Sequence, residues 1–385
     1  MFEKIVVPKE LIPSDPRFGA GPSLIPSEHI NILLKKNRDL LGTSHRQLPF
    51  KNFVRELYED IRTYFNLPTD YKILFGNGGA TLLFNMIPLG LVKEKSLHFV
   101  CGAFSERWYK YSLETPYITT KKIDIEYDKM PNISDIKLFD EMNEKEKFAN
   151  ADLLAFTQLE TSIGFELKSI PAKTNNQLIA IDATSSAGVL PCDFNNTDIH
   201  FWSLQKIFSS DGGTWMSILS PPAVERINQI ETDKKRFIPH FMRWSEYINN
   251  NDKFESFNTP SIINLVLFHE QLKKLKAIGA QRVLAETVEK ANYLYDWAQN
   301  HKHLSPLIEN EFFRAQTVAT IKIDSKIPAD ELTKYLREKN LVYGIGGYRS
   351  VAKKINHIRI ALFPSINFED LKRLTKLIDF LLDNV

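Results

Sequence analysis

Six short apolar runs, separated by helical or polar stretches, constrain the fold of this chain more than any other feature. They are YKILF (71–75), LHFV (97–100), DLLAFTQ (152–158), LIAIDAT (178–184), DIHFWSL (198–204) and TWMSILS (214–220). Successive side chains of a strand point to opposite faces, so a run that is apolar on both must be covered on both. A largely parallel sheet flanked by helices meets that need, and the expected class is α/β.

The rest of the chain supplies the covering helices and a second, smaller unit. Residues 25–65 read as two helices joined by a polar Gly-Thr-Ser-His loop. After Pro260 the texture changes to two long amphipathic helices, 262–278 and 280–300. Further strands are expected in TVATIKI, LVYGI and HIRIALF, before a closing helix over 367–383. The expected division is a large domain over 16–261 and a small C-terminal α+β domain over 262–385. Residues 1–15 are expected to pack back on the small domain.

Composition removes several function classes. Lys and Arg total 49 against 47 Asp plus Glu, a formal charge of +2. That leaves no basic surplus for nucleic acid or an anionic membrane. Neither kind of partner is expected. The two cysteines, Cys101 and Cys192, lie far apart without a partner motif, which favours neither a disulfide framework nor a thiolate zinc site. The nine histidines include no pair at i,i+4 spacing, so no catalytic metal is expected. The N-terminus carries charge and three prolines in sixteen residues, and no window holds eighteen uninterrupted apolar residues. A cytosolic location without signal peptide or membrane span is the expectation.

Three features carry chemistry. GNGGAT (76–81) follows the first strand run and opens a helix, where close backbone approach and the helix N-terminus favour an anion. Its spacing matches neither GxxxxGK[ST] nor GxGxxG, and by itself it could be a tight connection with no ligand. Asp182 ends the run LIAID, at the ligand-facing edge of an open sheet, although a carboxylate there is often a helix cap. Lys206 lies in SLQKIFSSDGG, where an ammonium among apolar residues is costly unless paired or used covalently; a lone lysine would ordinarily reach to solvent. Together the three fit pyridoxal phosphate: an amine to bond the aldehyde, a carboxylate to keep the ring nitrogen protonated, and amides to hold the phosphate.

The sequence also resembles a known family, the phosphoserine aminotransferases among the class V, fold-type I pyridoxal-phosphate enzymes. The landmarks are FGAGPS (18–23), GTSHR (42–46), GNGGAT, GAFSERW (102–108), LETSIG (159–164), IDATSSAGVLP (181–191), SLQKIFSSDGG (203–213), FNTPS (257–261) and HIRIALFPS (357–365). The resemblance implies that Lys206 bonds the cofactor, that Asp182 pairs with its ring nitrogen, that Thr161 bonds its phenolic oxygen and that Phe104 stacks on the ring. It implies a phosphate seat at Gly79, Ala80, Thr81 and Gln205, completed by Asn258 and Thr259 of the partner subunit in a homodimer. Arg359 would bind the substrate carboxylate, and His45 and Arg46 from the other subunit, with Arg349, the substrate phosphate. The implied reaction moves an amino group between L-glutamate and 3-phosphohydroxypyruvate, giving O-phospho-L-serine and 2-oxoglutarate.

The chain departs from the family's commonest bacterial pattern at three places. It has no arginine in the glycine-rich loop, Phe104 replaces tryptophan, and Tyr348 replaces histidine before Arg349. A divergent branch of the family shares the GNGG loop and the phenylalanine. The competing readings are transamination of alanine or serine to glyoxylate, cysteine desulfuration, and a non-catalytic relative. Several cations converging on the distal end of the substrate would favour the phosphorylated acceptor.

Overall fold

The computed structural model describes residues 1–36, 39–126, 151–173 and 176–385. In chain order the first part comprises α1 (Ser27–Lys36), α2 (Leu48–Phe65), β1 (Lys72–Asn77), α3 (Gly79–Leu91), β2 (Lys95–Val100), α4 (Ala103–Leu113) and β3 (Thr119–Asp124). Next come β4 (Leu153–Thr157), the two-residue strands β5 (Leu159–Glu160) and β6 (Phe165–Glu166), β7 (Leu178–Asp182), β8 (Ile199–Ser203) and β9 (Thr214–Leu219). Seven of these strands form one sheet in the order β1-β9-β8-β7-β4-β2-β3.

Alternate residues of the central strands feed two separate cores. Leu153 and Ala155 of β4 join Phe84, Trp108, Phe201 and Trp215 on one face. Leu154 and Phe156 join Phe99, Ile179 and Trp202 on the other. This is the two-faced burial that the apolar runs demand, and β4, β7, β8 and β9 are buried along their whole lengths.

The sheet is parallel from β3 through β8, but β9 runs antiparallel to both β8 and β1. TWMSILS is therefore a buried strand of opposite direction to its neighbours. The connection 204–213 contains no helix and is too short for the crossover that parallel strands need, so the chain turns back.

Beyond Ser261 lie the helices Ile262–Ile278 and Ala280–Asn300, then β10 (Leu304–Pro306), β11 (Val318–Ile323) and β12 (His357–Ala361), which form a separate antiparallel sheet. Helix Ala329–Glu338 falls between β11 and β12, and helix Phe368–Asp383 closes the chain with its N-terminus capped by the Asn367 side chain. The expected strand LVYGI is absent. Tyr343 bridges Arg17 and Gly346 bridges Ile358 as isolated pairs. Between them Gly344 has φ +82°, with no room for a Cβ against the backbone of Gly19, so the segment bends instead of extending.

The first residues lie against this second group of elements. The Tyr335 hydroxyl donates to the Ile5 carbonyl at 2.8 Å, and the Ser14 amide donates to the Asp370 carboxylate at 2.6 Å. Among the described residues no helix is long and apolar enough to cross a membrane.

Candidate active site

The parallel strands deliver their last residues to one edge: Thr157 from β4, Asp182 from β7 and Ser203 from β8. Lys206 lies just past that edge and is only 6% exposed. Its Nζ donates to Ser185 Oγ at 2.8 Å and Thr161 Oγ1 at 3.0 Å, and these two hydroxyls are themselves hydrogen-bonded. The amine stands 5.1 Å from the centre of the Phe104 ring. Burial pushes its pKa down to about 8; Arg359 adds to the fall, while Asp182 and Glu160 oppose it. Gly21 walls the lysine stem so closely that a Cβ there would stand 2.8 Å from Lys206 Cε.

Asp182 is 4% exposed. Its Oδ1 accepts from the Thr184 amide at 3.0 Å and the Thr184 hydroxyl at 2.5 Å. Burial raises its pKa and the Thr184 bonds pull it down. Among the described residues no hydrogen bond reaches Oδ2, so one oxygen of this buried carboxylate is uncommitted.

Glu160, at the end of β5, is wholly buried. Its carboxylate accepts from the amides of Phe104 and Ser105 at 3.2 and 3.0 Å and from the hydroxyls of Ser105 and Ser162 at 2.9 and 2.6 Å. It thus satisfies the free amides at the start of α4, where negative charge is favoured, and fixes the turn that carries the Phe104 ring.

At the end of β1 the backbone passes through Gly78 (φ +116°) and Gly79 (φ +64°), then enters α3 with no side-chain cap. Ala80 N donates to Ser203 Oγ at 2.7 Å, tying the helix start to the end of β8. Beside Lys206, Gln205 Oε1 is buried with no hydrogen-bond partner among the described residues. A helix start without a cap from its own N-cap residue favours an anion, whereas the unpartnered Gln205 oxygen is an acceptor and calls for a donor.

A cavity of about 1100 Å³ opens from Gly21 and is lined by Arg107, Tyr348, Arg349 and Arg359. Arg359 donates to the Thr161 carbonyl at 3.2 Å and to the Gly346 carbonyl at 3.4 Å, which sets it beside the lysine. Burial lowers its pKa.

Lys206, Asp182, Thr161, Phe104, Gln205, the Gly79–Thr81 turn, Arg359 and Arg349 therefore gather around one edge of the sheet. His45 and Arg46 do not join them within the chain: Arg46 Nε donates to His45 Nε2 at 3.4 Å, and His45 packs on Phe50. The carbonyls of Asn258 and Thr259 accept from Ser256 Oγ and Asn77 Nδ2, at 2.7 and 2.9 Å. Sequence reasoning missed three residues here. Ser185 had a legible signal, a hydroxyl in the small-residue TSSAG segment; Glu160 and Arg107 fall inside the LETSIG and GAFSERW landmarks, but their partners are distant in sequence and nothing local gives them a role.

Residues 18–374 match the family described as Aminotransferase class-V. A phosphoserine aminotransferase of Corynebacterium glutamicum is 36% identical over 379 residues, 98% of this chain and 97% of that protein. One of Rhodococcus opacus is 34% identical over 382 residues, covering 99% and 98%. Among solved structures, a phosphoserine aminotransferase from Cytophaga hutchinsonii shares the fold with a TM-score of 0.79 at 23% identity, over 94% of this chain and 98% of that one. A pyridoxal-phosphate-bound phosphoserine aminotransferase from Trichomonas vaginalis superposes with a TM-score of 0.76 at 20% identity, covering 94% and 99%.

Proposed function

Because the chain belongs to the class-V aminotransferases and, within them, to the phosphoserine aminotransferase family, we propose that it exchanges an amino group between L-glutamate and 3-phosphohydroxypyruvate, the O-phospho-L-serine-forming step of serine biosynthesis. The observation that carries this reading is a buried lysine of depressed pKa, held by two hydroxyls beside a buried carboxylate and adjoining, through Gly21, a cavity lined by arginines. A structural lysine has no need of that setting, whereas an amine that gains and loses a proton during a reaction does.

The residues present fit pyridoxal phosphate. The start of α3, which Gly78 does not cap, and the open oxygen of Asp182 offer partners for a phosphate and a protonated ring nitrogen. Gly79, Ala80, Thr81 and Gln205 would hold the phosphate, with Asn258 and Thr259 of a partner subunit in a homodimer. Thr161 would meet the phenolic oxygen, Phe104 the ring face and Asp182 the ring nitrogen. When bound, the cofactor supplies an aldehyde to bond an amine and a ring that accepts the electron pair left at the substrate's α-carbon.

The chain's own contribution is positional and acid–base. Lys206 Nζ, with a pKa of about 8, would take the α-proton as a neutral amine and, as an ammonium, would give it up to the carbon that carries the cofactor's aldehyde, a different carbon from the one it came from. Ser185 and Thr161 orient that nitrogen, and Glu160 fixes Phe104 through the start of α4. Arg359 would bind the substrate α-carboxylate; Arg349, with His45 and Arg46 of the partner subunit, would bind the distal phosphate. We take the enzyme to be cytosolic and divided into a terminal segment 1–15, a large domain 16–261 and a small domain 262–385.

The test is amino transfer from glutamate to 3-phosphohydroxypyruvate, glyoxylate and pyruvate at equal concentrations. The phosphorylated acceptor is expected to react fastest; preference for glyoxylate would move the assignment to a glyoxylate aminotransferase.

A further inference from the structure

We propose that Arg107 is a substrate-binding residue: together with Tyr348 it receives the distal acidic group of the substrate in the arginine-lined cavity. The proposal rests on the transaminase reading and extends it to a residue outside the motif roles set out above.

Arg107 projects from α4, one turn beyond Phe104. Its Nη2 donates to the Tyr348 hydroxyl at 2.9 Å, and its Cζ lies 5.7 Å from the Phe104 ring centre. The Tyr348 ring in turn stands 5.1 Å from the Phe104 ring and 5.4 Å from Arg359 Cζ. Tyr348 thus stands between the two guanidinium groups and orients one of them. Among the described residues Arg107 forms no ion pair with a carboxylate. A guanidinium carries five N–H donors in a planar fork, so the bond to Tyr348 leaves most of its capacity unspent.

The cavity wall carries the matching charge. Among the described residues Arg107, Lys334, Arg337, Arg349 and Arg359 line it against a single carboxylate, Asp330. Arg359 is bound to the Thr161 carbonyl and sits nearest the lysine, where a substrate must place the carboxylate next to its reacting carbon. A substrate anchored there runs its other end along the Tyr348 ring toward Arg107. Both amino donor and acceptor of the proposed reaction carry an acid at that end, so one residue serves both half-reactions. Fork-to-oxyanion contacts of this kind are charge-assisted and geometrically selective.

The test uses purified holoenzyme and the variants Arg107→Leu, Arg107→Lys and Tyr348→Phe. For each, kcat/KM is measured with 3-phosphohydroxypyruvate and with pyruvate, and the inhibition constant of inorganic phosphate is determined. In Arg107→Leu the ratio of the two kcat/KM values is expected to fall roughly 10- to 100-fold, chiefly through KM, with phosphate inhibition weakened to a similar extent. Arg107→Lys, which keeps charge without the fork, is expected between wild type and Leu. Tyr348→Phe, which releases the guanidinium but leaves its charge, is expected to lose less than Arg107→Leu. A ratio within about threefold of wild type in Arg107→Leu, as when the residue merely props α4 and both acceptors suffer alike, overturns the proposal. A wild-type enzyme that prefers pyruvate or glyoxylate instead defeats the reaction assignment, and phosphate inhibition then decides Arg107: weakening by about tenfold sustains the contact and an unchanged constant overturns it.

Discussion

Two lysines in this molecule look alike by burial and differ in everything else. Lys206 is 6% exposed and Lys290, in helix Ala280–Asn300, is 5% exposed. Burial pushes both amines down to about 8. Lys206 donates to two side-chain hydroxyls, feels Asp182 and Glu160, and adjoins a large cation-lined cavity. Lys290 donates to the carbonyls of Phe363 and Ile366 at 2.8 and 3.2 Å, and among the described residues Glu286 is the one charge that acts on it. Main-chain carbonyls are fixed by the fold, so Lys290 fastens the segment after β12 to a long helix. Hydroxyls can rotate and exchange partners, so Lys206 is held yet free to react. A depressed amine is therefore no sufficient mark of a site; its partners decide.

The largest expected effect separates the two directly. Lys206→Ala is expected to lower steady-state transamination by roughly 10⁴-fold or more, while Lys290→Met stays within roughly threefold of wild type. Borohydride treatment of the cofactor-supplemented enzyme should add mass to the peptide containing Lys206 and not to that containing Lys290. Near-normal turnover in Lys206→Ala, or label on Lys290, would erase the distinction.

Asp182 sharpens the comparison from the side of the partners, because among the described residues Lys290 has no such buried carboxylate acting on it. Asp182→Asn keeps the shape and can still accept from Thr184, but removes the charge. A fall in kcat of roughly 10²- to 10³-fold is expected from single-turnover and steady-state measurements. A fall below about tenfold would mean that the carboxylate only caps its own turn, as Thr184 alone would suggest.

How much of this was legible depended on whether the physics was local. Lys206 and Asp182 each stand at the end of an apolar run, which singles them out, although only together with the glycine-rich loop do they suggest a cofactor. The two small-unit helices, Ile262–Ile278 and Ala280–Asn300, fall where their periodicity predicts. The direction of β9 was hidden, because a buried strand reads the same either way and only the length of 204–213 betrays the turn. LVYGI failed as a strand through a tertiary contact, the backbone of Gly19 against Gly344. Glu160 and Arg107 gain their roles from α4 and from Tyr348 respectively, and no pattern along the chain joins those segments.

The smallest effect tests the structural lysine itself. The folded-state Lys290 amine gives up its proton near pH 8, whereas in the unfolded chain it keeps it to its ordinary value of 10.5. Between those limits the unfolded state binds the extra proton, so folding stability gains with rising pH, by at most about 1.4 kcal/mol per pH unit. Below pH 8 both states carry the ammonium and the full cost of burying it remains. A neutral amine still has two N–H donors for Phe363 and Ile366, so deprotonation removes the cost without removing the bonds. Lys290→Met has neither bond nor proton. The melting temperature of wild type minus that of the variant, at fixed protein and cofactor concentration, should therefore rise from pH 8 toward pH 10. A flat difference would mean that Lys290 stays charged and well solvated, and would leave Lys206 as the one amine of the pair that burial perturbs.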